Sequence, residues 1–374
     1  MSALAVTLAA LAVLMAAWSY LGYPALIARL SRRSRGGVGG SPTRLSLEVV
    51  LSAADEEDVI EARVKNLLAQ EPVLPFRISI GCDGCRDQTA DLARAVLGQA
   101  GRVVEFPEKR GKAAVLNDLI AGSAADVIVF TDANTRFDTG AVRHLAGAFA
   151  DPAVGAACGR LVLERAAGGG TSETVFWDRE TRVKEAEGRL GVCLGANGAI
   201  YAARRSWIEP LPAATALDDF LIPARIARKG KKIVFAGEAV AREETGRDVA
   251  AEVARRFRIG AGAGLVLRQE TWLFNVRRCG LLSVAFLSRK AARWIAPVLA
   301  LAAIIAALGD ARLRPAGSVV LAVAALLMLS VAARPRVPGL PGKLYDFCVI
   351  NIALAAGVVA GLAGYRRPVW RRTR

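Results

Sequence analysis

The stretch that decides the fold reads Asp126-Val127-Ile128-Val129-Phe130-Thr131-Asp132-Ala133-Asn134-Thr135. Four apolar residues lead into a polar tip, a pattern typical of a buried parallel strand in an α/β fold. Asp132 and Asn134 then lie on the same side of the strand's carboxyl end, where open α/β sheets bind ligands. Their side-chain oxygens suit Mg²⁺ or Mn²⁺, so we expect these two residues to form a metal site. A turn in which both side chains bond to the backbone is the alternative interpretation.

Strands and helices alternate through the middle of the chain. The patterns predict strands at 45–51, 76–81, 103–106, 199–202 and 232–236, besides the one that ends at Asp132. They predict helices at 59–68, 89–97, 113–121, 174–187, 220–228 and 249–267. This alternation, with polar residues after the strands, predicts an α/β domain with a mostly parallel central sheet and right-handed crossovers.

The chain is more apolar than a soluble domain. Its hydrophobic fraction is 53% and its mean hydropathy is +0.35, whereas soluble domains have about 45–50% apolar residues. The excess lies in runs at about 4–30, 294–308, 316–333 and 347–363. Arginines at 29, 32, 33 and 35 follow the first run, so the positive-inside rule predicts an uncleaved anchor before a cytoplasmic domain. A cleaved signal peptide is the competing interpretation, although its charges would precede the apolar run.

These runs give an expected domain organisation. An N-terminal transmembrane helix at 1–30 and a basic, glycine-rich linker at 31–44 precede a cytoplasmic domain at 45–270. An interfacial amphipathic region at 271–293, C-terminal transmembrane helices at 294–365 and a basic tail at 366–374 follow. We therefore expect a multi-pass protein of the inner (plasma) membrane. The number of crossings stays open, because one span before the domain and three after it would place the arginine-rich C-terminus outside.

Charge and cysteine usage narrow the partners. The net charge is +16, from 50 basic and 34 acidic residues. Many basic residues flank the apolar runs, so membrane lipids explain them better than nucleic acid, for which no recognition pattern is present. Cys82 and Cys85 could form a redox pair or half a zinc site. Because no second such pair exists and His144 is the single histidine, the composition argues against a tetrahedral zinc site.

Acidic residues follow the strands of the predicted sheet. They are Asp55 with Glu56, Asp83, Asp132 with Asn134, and Asp218 with Asp219. A doubly wound sheet brings such strand ends to one edge. Lys112, beside a glycine, can meet a phosphate there, so the set predicts a nucleotide-diphosphate site with a nearby carboxylate base. A helix cap at Asp218-Asp219 and a solvated helix start at Lys112 remain alternatives.

The order and spacing of these motifs resemble the membrane-bound family 2 glycosyltransferases, which carry the A-type nucleotide-sugar fold. The resemblance covers about 45–267 and extends more loosely to the membrane segments, as in cellulose, hyaluronan and chitin synthases. The matching motifs are Ser52-Ala53-Ala54-Asp55-Glu56-Glu57, Asp83-Gly84-Cys85-Arg86-Asp87-Gln88-Thr89, Arg110-Gly111-Lys112-Ala113-Ala114-Val115-Leu116-Asn117, Phe130-Thr131-Asp132-Ala133-Asn134-Thr135, Gly195-Ala196-Asn197-Gly198-Ala199-Ile200 and Leu217-Asp218-Asp219-Phe220.

The resemblance implies a function and a role for each motif. It implies a metal-dependent, inverting hexosyltransferase that moves a sugar from a nucleotide-sugar, with a UDP-sugar as the expected donor, to a lipid-linked or polysaccharide acceptor. Polysaccharide-export proteins are possible partners. Asp219 would be the catalytic base, and Asp132 with Asn134 the metal-and-diphosphate motif. The nucleotide would be held by Asp55, Glu56, Asp83, Lys112, Asp132 and Arg256, and the acceptor entrance lined by Gly195, Asn197 and Gly198.

The sequence also departs from the family. Ser-Ala-Ala-Asp-Glu stands where Pro-x-Tyr-Asn-Glu is usual, so Ala54 lacks the aromatic ring that stacks on a base. The Gln-x-x-Arg-Trp motif of processive relatives reads Val253-Ala254-Arg255-Arg256-Phe257. These arginines could instead form a stripe that faces lipid headgroups. A degenerate, transferase-like membrane protein with a binding or regulatory role is therefore the alternative function.

Overall fold

The computed structural model describes residues 2–34, 45–70, 76–164, 171–244, 249–330 and 339–365. Its helices are α1 Ser2–Ala17, α2 Tyr23–Ser31, α3 Glu57–Leu68, α4 Thr89–Leu97, α5 Lys112–Ala121, α6 Ala141–Gly147, α7 Thr171–Arg189, α8 Asp218–Arg228, α9 Val249–Gln269, α10 Val276–Cys279, α11 Leu281–Ala285, α12 Ala292–Leu308, α13 Arg314–Ser330 and α14 Gly339–Leu362. Its strands are β1 Leu47–Ala53, β2 Phe76–Asp83, β3 Gly101–Phe106, β4 Val127–Thr131, β5 Arg136–Phe137, β6 Val154–Glu164, β7 Tyr201–Arg204 and β8 Lys232–Glu244. Most of the predicted linker at 31–44, and the tail at 366–374, lie outside the described residues.

The chain divides into two compact units. Of the described residues, those between 27 and 244 form the sheet unit, and those at 2–26 and between 249 and 365 form the helical unit. The sheet unit contains every strand given above. The predicted boundaries at 45 and 270 are wider than this division on the C-terminal side, because α9 belongs to the helical unit.

Across the described residues, the sheet has eight strands in the order β3-β2-β1-β4-β7-β6-β8-β5. β1 is parallel to β2 and β4, β2 to β3, and β6 to β8, whereas β7 runs antiparallel to β4 and β6. The expected mostly parallel sheet is therefore confirmed. The strand order reverses beside β1, since β2 and β3 lie on one side of it and β4 on the other. Ligand sites in such sheets lie at the carboxyl ends of the strands where this reversal occurs.

Strands β1 and β4 are buried along their whole length. Alternate residues point to opposite faces: Val49 and Leu51 join a cluster with Ile60 of α3, and Val50 joins a second cluster with Leu116 of α5. Helices thus cover both faces, as expected for apolar runs without alternation. Each fully buried Val or Leu contributes roughly 1.5–3 kcal/mol, so this layer holds the strand ends firmly in place.

Two strands of the sheet unit were not predicted: β5 and β6. β6 reads Val-Gly-Ala-Ala-Cys-Gly-Arg-Leu-Val-Leu-Glu, and its Gly and Ala residues have low strand propensity. Its pairing with β7 and β8 stabilises the strand conformation, although the local strand propensity is low. β7 begins at Tyr201 rather than at 199, because Ile200 closes a turn by donating its N–H to the carbonyl of Asn197 at 2.9 Å.

Among the described residues, three helices are long and apolar enough to cross a membrane: Ala3–Ser31, Leu281–Leu308 and Tyr345–Leu362. The first is continuous from α1 through a π-helical turn, Trp18–Gly22, into α2. The second also contains a π-helical turn, Phe286–Ala291, so the predicted boundary at 293/294 falls inside one helix. The predicted run at 316–333 corresponds to α13, of which Arg314–Val323 counts as a shorter apolar helix.

Candidate active site

The site is built around the end of β4. Asp132 follows the last residue of that strand, Thr131, whose hydroxyl donates to the carbonyl of Ala199 at 2.7 Å. This bond ties the end of β4 to the turn before β7. The Asp132 side chain is half-buried, with 28% of it exposed. The strand therefore presents a carboxylate at a fixed position on the edge where the sequence predicted it.

Lys112 reaches this carboxylate from the start of α5. Its Nζ lies 2.9 Å from Oδ1 of Asp132 and 3.5 Å from Oδ1 of Asp218. Burial opposes the charge of Lys112, but Asp132 and Asp218 outweigh it and raise its pKa above the ordinary value. The preceding residue, Gly111, has φ of 89°, a left-handed conformation that favours glycine. Lys112 is therefore an internal ammonium that bridges two carboxylates, not a solvated helix start.

Asp218 and Asp219 open α8. Asp218 is buried, and its Oδ2 accepts a hydrogen bond from the hydroxyl of Tyr201 at 3.1 Å. Asp219 is half-buried, and its backbone carbonyl accepts the N–H of Ala196 at 2.8 Å. The residue before the helix is Leu217, which makes no side-chain cap. The two neighbouring acids thus have different surroundings.

Gly198 marks the place where the predicted groups converge. A Cβ atom built on it would lie 3.5 Å from Oδ2 of Asp132 and 3.8 Å from Oδ2 of Asp219. Asp132, Gly198 and Asp219 are each half-buried, so the two carboxylates border one solvent-accessible opening beside a residue that has no side chain. Four of the predicted site residues, Asp132, Asp219, Lys112 and Gly198, are brought together here.

The rest of the Gly195–Gly198 turn is fixed by hydrogen bonds of the buried Asn197 side chain. Gly195 has φ of 74°. The Asn197 side chain is buried; its Nδ2 donates to the carbonyl of Gly159 at 2.7 Å, and its Oδ1 accepts from Nζ of Lys184. Asn197 therefore shapes the turn from inside. Lys184, a buried lysine of α7, was not predicted to belong to the site. A lysine on the buried face of a helix is unusual, and this was the feature of the sequence that could have indicated it.

Two loops border the site at the ends of β1 and β2. Asp83 is buried, and its two carboxylate oxygens accept the N–H groups of Arg110 and Gly111 at 2.6 and 2.9 Å. Asp55 has φ of 59° and accepts the N–H of Arg86 at 2.8 Å. The Glu56 N–H donates to the hydroxyl of Thr89 at 2.8 Å. These acids lock the loops to one another; their predicted contacts with a nucleotide remain predictions.

Arg63, a buried arginine next to the end of β4, was not predicted from the sequence. Arg63 of α3 donates from Nη2 to the hydroxyl of Thr131 at 2.6 Å and from Nη1 to Oδ1 of Asn66 at 2.6 Å, and it lies 4.3 Å from the centre of the Phe137 ring. Burial lowers its pKa to about 9, partly offset by the nearby charges of Asp132 and Glu243. An arginine on the apolar face of α3, beside Ile60 and Val64, was the available signal.

Two further residues predicted for the site are Asn134 and Arg256. Asn134 is exposed in the turn that follows Asp132, so its role as a metal ligand remains a prediction. Arg256 lies on α9 in the helical unit, where its Nε donates to Oε1 of Glu252 at 2.5 Å. Its predicted contact with the donor likewise remains a prediction.

The cysteine pair lies at the end of β2. Cys82 is buried and Cys85 half-buried, and a hydrogen bond between the two thiols raises the pKa of Cys82 and lowers that of Cys85. Within the described ranges, Asp55, Cys85 and Asp87 are the one trio whose potential metal-ligand atoms lie within 4.8 Å of one another. Both acids already accept backbone N–H groups, Asp55 from Arg86 and Asp87 from Glu57. The trio therefore works as a loop clamp.

Comparison with known proteins places this geometry in a family. The sequence model of the family described as Glycosyltransferase like family 2 matches residues 43–262. The mannosyltransferase PcManGT from Pyrobaculum calidifontis, solved with GDP-Man and Mn²⁺, has a TM-score of 0.65 over 95% of this chain and 99% of its own, at 21% identity. That likeness shows a shared fold and confirms the expected A-type glycosyltransferase architecture.

Weaker likenesses carry no argument. GalNAc-T7, solved with UDP, GalNAc and Mn²⁺, is 12% identical with a TM-score of 0.43, over 54% of this chain and 44% of its own. A mycobacterial protein is 22% identical with a TM-score of 0.40, over 68% of this chain and 78% of its own. No curated protein sequence matches the chain significantly.

Proposed function

We propose, because this chain belongs to the Glycosyltransferase like family 2, that it transfers a sugar from a nucleotide-sugar to an acceptor hydroxyl with inversion at the anomeric carbon. The observation that carries the proposal is the pair of carboxylates, Asp132 and Asp219, that face one opening beside Gly198. Inversion in one step requires a base on the acceptor side and charge stabilisation on the leaving-group side. In the proposal Asp219 is the base, and Asp132 is an oxygen ligand for the divalent metal that would stabilise the leaving group.

In this mechanism Asp219 removes the proton of the acceptor hydroxyl. The acceptor oxygen attacks the anomeric carbon in line with the bond to the nucleotide diphosphate, which leaves with the bonding electron pair. Lys112, held as an ammonium by Asp132 and Asp218, places positive charge beside the leaving group. Asp55, Glu56 and Asp83 hold the uridine end of the donor, and Gly195, Asn197 and Gly198 line the acceptor entrance.

The donor atoms suit a hard divalent cation. Asp132 offers Oδ2 on the side of the opening while Oδ1 faces Lys112, and Asn134 adds an amide oxygen two residues further on. Three carboxylates, Asp132, Asp218 and Asp219, act on the ammonium of Lys112, and the guanidinium of Arg63 acts on Asp132 as well. Three negative charges against two positive ones leave a negative charge for a cation to balance. Bound Mg²⁺ or Mn²⁺ would neutralise the charge that develops on the departing diphosphate.

The acceptor is proposed to be lipid-linked or a polysaccharide, used at the cytoplasmic face of the inner membrane. Three candidate spans, with the arginines after the first held inside, return the C-terminal arginines to the cytoplasmic side. That topology satisfies the positive-inside rule, which four spans would violate. Arg256 of α9 stays a proposed nucleotide-binding residue.

A donor screen tests the proposal. The protein, in membranes or detergent, is incubated with UDP-sugars and GDP-sugars, including GDP-mannose because PcManGT was solved with it, and release of UDP or GDP is measured. We expect release with one donor, its loss on addition of EDTA, and its return with Mn²⁺ or Mg²⁺. Activity that persists in EDTA would remove the metal from the proposal. Donor binding without release would favour the alternative, a degenerate binding protein, which the loss of the aromatic residue at Ala54 supports.

A further inference from the structure

Tyr201 is the only tyrosine between residues 27 and 245. It has no exposed surface, and it opens β7, a strand that continues with two alanines. Phenylalanine would fill the same volume with no polar atom to satisfy. The hydroxyl group, which needs a partner when buried, is therefore the informative part of this residue.

The ring of Tyr201 is fixed by its neighbour on β4. Tyr201 and Phe130 are paired across the two strands, and their rings stack with centres 4.3 Å apart and planes 4° from parallel. Phe130 lies two residues before Asp132. The phenol thus has a defined position relative to the strand end that carries Asp132.

The hydroxyl of Tyr201 holds Asp218 from one side. It donates to Oδ2 of Asp218 at 3.1 Å, while Nζ of Lys112 lies 3.5 Å from Oδ1 of the same carboxylate. Burial and the surrounding carboxylates raise the pKa of Tyr201 well above its ordinary value, so the hydroxyl remains a donor. Asp218 is therefore a clamped first residue of α8, and Asp219 is the residue next to it.

We infer that Tyr201 is a positioning residue, whose hydroxyl fixes Asp218 and thereby the first turn of α8, so that the Asp219 carboxylate faces the opening at Gly198. The inference rests on the proposed function, in which Asp219 is the base. The two acids then have different roles: Asp218 anchors the start of α8, and Asp219 contacts the acceptor. A misplacement of about 1 Å in such a group can reduce turnover by about 100-fold.

The competing interpretation is that the hydroxyl only satisfies a buried polar group. The chain offers a matched control, because the hydroxyl of Ser123 donates to the buried carboxylate of Glu48 at 2.5 Å. Ser123 lies before the amino end of β4, at the opposite end of the strand from Asp132. Tyr201→Phe and Ser123→Ala therefore each delete a buried hydroxyl-to-carboxylate bond, and Ser123→Ala also deletes the bond in which the hydroxyl accepts the N–H of Ala125 at 3.1 Å. Only Tyr201→Phe deletes its bond at the site.

The kinetic test uses the donor that gives release in the screen. Tyr201→Phe should lower kcat by about tenfold and leave the donor KM within about twofold, since the hydrogen bond that is lost goes to Asp218, which is not one of the proposed donor-binding residues. Ser123→Ala should leave kcat unchanged. In an Asp218→Ala background, Tyr201→Phe should have no further effect on kcat, because the two residues act in series. Equal kcat values for Tyr201→Phe and wild type, or additive losses in the double variant, would overturn the inference.

A second measurement needs no donor. Amide hydrogen exchange in the peptide that covers 217–224 should be faster in Tyr201→Phe than in wild type, and unchanged in Ser123→Ala. Unchanged exchange in Tyr201→Phe would overturn the inference even if the wild-type protein proves to be a transferase. Faster exchange, together with no nucleotide release from any donor by wild type, would keep the anchoring of α8 by Tyr201 and reject the proposed function.

Discussion

Lys112 and Asp132 form an ion pair of 2.9 Å that joins the first residue of α5 to the end of β4. Asp218 shares the same ammonium at 3.5 Å, so one lysine links three elements of the sheet unit. All three side chains are largely shielded from solvent: the exposed fraction is 18% for Lys112, 28% for Asp132 and 8% for Asp218. Such a pair is screened less by solvent than a surface pair, and removal of one partner leaves the other charge uncompensated.

Replacement of Lys112 by methionine should therefore damage both fold and function. We expect a lower melting temperature than wild type and a fall of at least about tenfold in kcat/KM for the donor, because two carboxylates lose their cation and the leaving group loses a positive neighbour. Lys65→Met is the matched control, since Lys65 pairs with Glu61 at the surface with 63% of its side chain exposed. Wild-type kcat/KM in Lys112→Met would contradict the placement of Lys112 beside the diphosphate.

Gly198→Ala should separate catalysis from folding. The added Cβ would make ordinary contacts of 3.5 and 3.8 Å with the Asp132 and Asp219 carboxylates, so we expect an unchanged melting temperature. It would also project into the opening between them, and nucleotide release should fall by about tenfold or more, as expected when reacting groups are displaced by about an ångström. Gly237→Ala is the control, because its Cβ would meet Phe235 and Arg160 at 3.3 and 3.4 Å and no acid of the site. Full activity of Gly198→Ala would show that no substrate passes this opening.

The central strands and the acidic strand ends could be predicted because local pattern and tertiary structure agree there. The apolar run before Asp132 is buried on both faces, and α4 begins and ends where its periodicity indicated. β6 could not be predicted, because its small residues give no local signal and its conformation depends on partners far along the chain. The same holds for the turn at Asn197, whose side chain bonds to Gly159 and Lys184.

The supporting residues of the site were missed for a related reason. Arg63 and Tyr201 act through bonds to Thr131 and Asp218, and such pairings across elements leave no periodic trace in a sequence. Two features of the sequence could have indicated these residues: Arg63 is a charged residue on an apolar helix face, and Tyr201 is a phenol in an alanine-rich strand. Motif patterns identify the groups that meet a substrate more readily than the groups that hold them.

Asp138 gives a prediction for pH. Arg242 donates to both of its carboxylate oxygens, Nε to Oδ1 at 2.6 Å and Nη2 to Oδ2 at 2.8 Å, and these bonds hold the pKa of Asp138 below its ordinary value. The unfolded chain therefore binds a proton at higher pH than the folded one, so the contribution is present above about pH 4 and is lost as the pH falls through the lowered pKa. Asp138→Asn should reduce stability by about 1 kcal/mol at pH 7, a figure discounted for partial exposure.

The measurement is the difference in melting temperature between wild type and Asp138→Asn at pH 7 and at pH 3. The difference should shrink at the lower pH, because the unfolded wild-type chain already binds a proton at this carboxyl there. Asp91→Asn serves as the control, since Asp91 pairs with Arg94 with 84% of its side chain exposed, and it should show little difference at either pH. A difference for Asp138→Asn that is constant with pH would assign its effect to packing instead of charge.

The two adjacent acids at the start of α8 should respond differently to the same substitution. Asp219→Asn keeps the shape of the side chain and loses its basicity, and general-base catalysis contributes typically about 10²–10⁴-fold, so kcat should fall by at least about 100-fold. Affinity for UDP or GDP should stay near the wild-type value, because the base acts on the acceptor. Asp218→Asn should be milder in kcat, since an amide oxygen can still accept from Tyr201, but its melting temperature should drop because Lys112 loses one of its two carboxylates. Turnover from nucleotide release, nucleotide affinity from calorimetry and melting curves together distinguish the roles: near-normal turnover in a folded Asp219→Asn protein would exclude this residue as the base, and a larger loss in Asp218→Asn than in Asp219→Asn would reverse the assignment of the two acids.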